Sequence, residues 1–182
     1  MNSDPFANVR GDHTKHEHKR RVAAVLTAIE EAIAERRQAS GASSAASSLP
    51  SVTEYFAMLM VALESASGAH VNDLIYLLSR VMPALPHAVL RRKDADVASA
   101  LTALLARATA AGVAEDGMAT ALMRSTVGCV TAFLCALDAR SPSWARGATV
   151  ALVGSMLNAS TSLQLRPKLR GIARKAIASV LH

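Results

Sequence analysis

Aromatic side chains make up only 3% of this 182-residue chain, and Trp144 is its single tryptophan. A core must therefore be built mainly from Ala, Leu and Val, which suits helices that approach closely. The same scarcity removes the flat platforms on which unpaired bases stack, and so argues against sequence-specific RNA recognition. Cysteine is nearly absent: Cys129 and Cys135 lie six apart in an apolar stretch, which is neither a CxxC pair nor a disulfide framework. Both are expected to be buried, reduced thiols. No uninterrupted apolar run approaches the ~20 residues of a membrane span. The first thirty residues are polar and charged where a secretory signal needs an apolar core, so a soluble intracellular protein without a membrane partner is expected.

Acidic residues are missing from the C-terminal quarter. All fourteen acids stand at or before Asp138, whereas Arg140, Arg146, Arg166, Lys168, Arg170, Arg174 and Lys175 follow it. Taking those seven charges from the net +6 leaves −1 for the first 138 residues. A polarised basic end of this kind attracts RNA, acidic protein surfaces or anionic lipid through one Coulomb term.

Catalytic signatures are missing too. There is no phosphate-cradling glycine loop, HExxH, GxSxG, Cys/His pair or isolated carboxylate pair; Glu30 with Glu31, and Glu115 with Asp116, read as solvated neighbours. His13, His16 and His18 put three imidazoles within six residues, yet positions 16 and 18 face different sides of a helix and no fourth ligand is near. No catalytic site, no metal, no cofactor and no small-molecule substrate are expected.

What the chain does contain is helical periodicity. After an irregular arm, residues 1–13, Val22, Val25, Leu26, Ile29 and Ile33 predict a helix over 14–38 with one buried face. Residues 39–51, ASGASSAASSLPS, form a Ser/Ala-rich linker that offers nothing large to bury. A second helix over 52–64 carries Tyr55, Phe56, Leu59, Met60 and Leu63. Asn72 is a suitable N-cap for a third, which Pro83 and Pro86 stop. A fourth spans 86–108, with Arg91, Arg92, Lys93, Asp94 and Asp96 near its start, and AAGVAEDG breaks the pattern. The fifth, 118–138, lines up Leu122, Met123, Val127, Val130, Phe133, Leu134 and Leu137, with Gly128 admitting a neighbour. The sixth runs from Pro142 to Asn158, capped by Ser141, and the seventh, 166–181, has Leu169, Ile172, Ala173, Ala176, Ile177 and Val180 inward. No segment alternates long enough to make a strand. The fold class is all-α. The pace of the helices beyond Asn72 suits helical hairpins of ~40 residues that must stack to bury their apolar faces, so residues 52–182 are expected to form helical repeats.

The stretch LQLRPKLRGIARKAIASVL resembles the second helix of a HEAT repeat, with a proline near its start, Arg170 after Leu169, and the spaced Ala173 and Ala176. Three further stretches, HKRRVAAVLTAIEEAI, DLIYLLSRVMPALPHAVLRRK and ALMRSTVGCVTAFLCALDA, taken in order, resemble the N-terminal region of the ribosomal RNA-processing protein twelve family. The likeness covers about three quarters of the chain, leaving out the arm and the linker. It implies a HEAT/armadillo-like α-solenoid segment of about seven helices, whose repeats over 52–182 continue in a longer parent protein. It also implies a non-catalytic scaffold of the early small-subunit precursor, the 90S particle or processome, acting in pre-rRNA processing and export in the nucleus and nucleolus. Its partners would be pre-ribosomal RNA and ribosome assembly proteins. A karyopherin-like transport or adaptor module that binds proteins only is the alternative.

For contact with phosphate or an acidic partner, the sequence offers Arg166, Lys168, Arg170, Arg174 and Lys175 on the seventh helix, and Lys15, Lys19, Arg20 and Arg21 at the start of the first. Such side chains position a nucleic-acid backbone without reading bases. A solvated helix face or a soluble first turn accounts for the same residues structurally.

Overall fold

Val25, Ile29 and Ala32 recur at helical spacing and are buried, so the first stretch to fold winds into α1, Lys15–Ala39. The computed structural model describes residues 15–39, 50–68, 70–114, 116–138 and 145–181. The arm 1–13, residues 40–49 of the expected linker, and Ser141 and Pro142 at the expected start of the sixth helix lie outside these. Among the described residues there are seven α-helices and no strand.

The chain divides into two compact units, Met1–Leu85 and Pro86–His182. In the first, α1 packs on α2, Val52–Ser65, and on α3, His70–Val81. Ser51 starts α2 with a reciprocal cap. Its hydroxyl accepts from the Glu54 backbone N–H at 3.3 Å, while the Glu54 carboxylate accepts from the Ser51 backbone N–H at 2.7 Å. Two N–H groups that a helix start would leave unpaired are thus satisfied. The donation from the Ser51 backbone N–H, and after it that from the Ser51 hydroxyl to the same carboxylate oxygen at 2.8 Å, hold the Glu54 carboxyl below its ordinary value. Gly68, with φ +61°, sits in the left-handed region in the turn between α2 and α3. The third helix begins at His70, so Asn72 lies inside its first turn rather than at its cap. A short 3-10 turn, Met82–Ala84, then carries Pro83 out of the helix.

The second unit contains α4, His87–Val113; α5, Ala119–Asp138; α6, Arg146–Thr161; and α7, Pro167–Leu181. Short connections fold α4 against α5 and α6 against α7. The two hairpins then stack first helix on first, α4 on α6, and second on second, α5 on α7. This is how a helical-repeat solenoid buries faces that one hairpin alone would expose. All seven apolar positions expected on the inner face of α5 are buried. The fourth helix runs five residues beyond the expected Ala108. Gly112 there does not break it: a Cβ at Gly112 would stand 2.6 Å from both the Leu165 and Leu169 side chains. Close packing overrides the weak helix propensity of glycine. Gly128 has no such role, being exposed with nothing within 4 Å of an added Cβ.

Two thiols that the sequence made alike are different. Cys129 is buried, and burial pushes its thiol up to about 12, while Cys135 is exposed. By length and composition α4 and α5 could cross a bilayer, but Leu101, Leu104, Leu105, Val130, Phe133 and Leu134 are spent on the unit's own core.

Candidate functional site

Leu169, Ala173 and Ala176 are the buried stripe of α7, packed where α7 meets α5 and α6. Their spacing fixes where its cations go. With 3.6 residues per turn, Arg170 and Arg174 succeed one another at i, i+4 along one flank of the stripe, and Arg166 stands just before the helix begins rather than within it. Lys168 and Lys175, seven apart, lie along the other flank. Arg166, Lys168, Arg174 and Lys175 are exposed and Arg170 is half-buried. Between the two flanks lie the half-buried Gly171 and the exposed Ala178, which are too small to keep a ligand away. The helix therefore presents arginines and a lysine pair on either side of a smooth strip, in a stretch, residues 139–182, that itself contains no acidic residue.

Arg174 has a further task. Its Nε–H donates to the Ser160 carbonyl at 3.3 Å. That carbonyl belongs to the last turn of α6, where no intrahelical N–H reaches it, and a cation there also faces the negative end of the helix dipole. Arg174 thus ties α7 to α6.

The basic residues expected on α1 belong to the other unit. Lys15 is helical, but its side chain, like that of His16, lies outside the described residues, as does His13. Lys19 and Arg20 are exposed. Arg21 is held by Glu17, four residues earlier, at 2.6 Å, so its charge is partly matched within the helix. His18 turns away from its sequence neighbours and meets α3: its Nε2 lies 2.7 Å from an Asp73 carboxylate oxygen, and its ring stands edge-on to His70 with centroids 4.8 Å apart. Farther along the same two helices, Arg80 reaches Glu30 at 3.2 Å. Since 18 pairs with 73 and 30 with 80, α1 and α3 run parallel.

Sequence reasoning located the cations of α7 but missed the tie from Arg174 to Ser160. Only the return of one helix of a hairpin along the other could have suggested it. The meeting of His18 with His70 and Asp73 had no local signal at all.

A family model described as RRP12-like, N-terminal HEAT repeats matches residues 10–182. No match is found among curated proteins or solved structures.

Proposed function

Because the chain belongs to the RRP12-like N-terminal HEAT-repeat family, we propose that it serves as a non-catalytic scaffold in assembly of the small ribosomal subunit. The family is of a scaffold type and relates to ribosome biogenesis. The finer reading is that α7 holds the phosphate backbone of pre-ribosomal RNA, while other faces of the stack hold assembly proteins. This work would be done in the nucleolus on the early 90S precursor. The observation that carries it is the exposed Lys168, Arg174 and Lys175 with the half-buried Arg170 on one helix, in a quarter of the chain that contains no acidic residue. Mechanistically, the stacked hairpins supply rigidity, the charges supply affinity without base readout, and the smooth strip between them admits a sugar-phosphate backbone.

The test is salt-dependent binding of a small-subunit precursor RNA fragment to the chain and to the triple variant Lys168→Glu, Arg170→Glu, Lys175→Glu. Arg174 is left intact because it ties α7 to α6. The variant is expected to lose at least about tenfold in affinity at ~0.1 M salt, and its log–log salt slope should be shallower by about three. Wild-type binding that ignores salt, or a folded variant that binds equally well, rejects the phosphate reading.

A protein-only adaptor is the second reading. It is favoured by exposed apolar residues on α6, where Val150 and Leu157 lie seven apart on one face, and by Leu163 just beyond. Under that reading Val150→Glu with Leu157→Glu abolishes partner capture, and the charge reversals on α7 leave it intact.

A further inference from the structure

His18 on α1 and His70 and Asp73 on α3 bring two imidazoles and a carboxylate together, with ligand atoms all within 4.8 Å of one another. We propose that these three residues form a binding site for a divalent cation of the zinc class, which clips α1 to α3. This inference stands apart from the RNA reading, since it concerns the other unit.

Three observations carry it. The first is the donor set. Imidazole with carboxylate is the combination that zinc and its neighbours accept, whereas calcium and magnesium require oxygen ligands throughout. The second is an excess of unpaired polar atoms. The His18–Asp73 contact uses Nε2 of His18 alone. Nδ1 of His18, Nδ1 of His70 and the side-chain oxygen of Asn72, in the same turn of α3, are all buried with no hydrogen-bond partner among the described residues. Buried polar atoms are ordinarily paired, so a cluster rich in lone pairs and poor in donors lacks a positive centre. The third is geometry. Metal bonds of ~2.0–2.1 Å in a tetrahedral arrangement place ligand atoms ~3.3 Å apart. The 2.7 Å of His18 Nε2 to Asp73 and the 4.8 Å limit of the cluster bracket that separation.

The site is also sheltered and open enough to be filled. The His18 side chain is 17% exposed and that of Asp73 35%, which leaves one side from which a metal and a water molecule completing its coordination can enter. On binding, Nε2 of His18 exchanges its hydrogen bond to Asp73 for the cation, the ring proton moves to Nδ1 of the same imidazole, and the ring stays neutral as a ligand. The HxxHxH pattern near the start of the chain is not this site. Of the described residues the site uses His18, whose partners come from a helix more than fifty residues later.

The untagged full chain, stripped with chelator and then freed of it, is titrated with Co²⁺ and followed by visible absorption, and Zn²⁺ is used to displace the cobalt. One Co²⁺ per chain with the strong bands of four-coordinate cobalt is expected. His70→Ala should weaken binding about 100-fold, which is at the upper end of what loss of a mere supporting residue causes. Asp73→Asn, which keeps the shape of the side chain, should do the same, so a fold lost in one variant still leaves the other as a test. The double variant His13→Ala, His16→Ala should retain the bands. Zn²⁺, but not Mg²⁺, should raise the melting temperature of the wild type and leave that of Asp73→Asn unchanged. Absence of the bands from the wild type, their survival in folded His70→Ala or Asp73→Asn, or their loss in the His13/His16 variant overturns the proposal.

Discussion

In Pro86–His182, α4 meets the start of α7 through aliphatic side chains laid against bare backbone, where Leu165 and Leu169 press on Gly112. In Met1–Leu85, α1 meets α3 through His18, His70 and Asp73 and through the Arg80–Glu30 pair. An aliphatic contact is indifferent to pH and salt but sensitive to volume, because every methyl group has a fixed place. A polar contact tolerates small changes in volume and responds to protons, ions and the loss of one partner. The two units should therefore fail under different insults, although both are built of helices of similar composition.

The sharpest way to break the comparison is to add volume in the second unit. Gly112→Val is expected to cost about 1–3 kcal/mol, since the β-branched side chain must displace both leucines; denaturant unfolding that shows no loss would mean that α4 and α7 are held more loosely than their contact implies. The first unit should yield instead to loss of a hydrogen-bonding partner. Ser51→Ala is expected to cost about 1 kcal/mol through the cap of α2. The wild type should show the matching pH effect. The folded-state value of Glu54 is depressed, so its contribution is present above the unfolded value and disappears as pH falls through the folded one. In acid the difference between wild type and Ser51→Ala should narrow, and a constant gap across that range would separate the cap from the carboxylate. The smallest change, and one of opposite sign, is Gly128→Ala. With open space around an exposed helical glycine, the replacement should stabilise the second unit by about 0.5–1 kcal/mol in thermal melts. A loss there would give Gly128 a contact that its surroundings do not contain.

What could be read from the residues follows a physical divide. The inner face of α5 was legible in full, because seven apolar positions at helical spacing leave only one orientation that buries them. The stop after α3 was equally plain, since Pro83 cannot continue a helix. Where a residue owes its place to something distant in sequence, the reading failed. Gly112 looks like a break until Leu165 and Leu169 lie upon it, and Gly128 looks like a contact because it sits inside an apolar run. Asn72 has the chemistry of a cap, yet the helix starts two residues earlier, and the cap that does form, at Ser51, was hidden in a Ser-rich stretch. Cys135 shares the apolar surroundings of Cys129 in sequence but not its burial. The candidate site divides in the same way. The cations of α7 are visible from charge alone, whereas the attachment of Arg174 to Ser160 requires the hairpin. The meeting of His18 with His70 and Asp73 requires a whole unit.

Because α7 packs on both α5 and α6, the second hairpin of this unit covers the first. A chain emerging in order first forms the α4–α5 hairpin, whose contacts are local and quick to make. That hairpin then waits, its apolar faces uncovered, until α6 and α7 have been added. The interval between the two hairpins is the stretch of the molecule's history in which a holding chaperone would matter most. A slow α6–α7 hairpin would lengthen it more than any change in the stability of the finished fold.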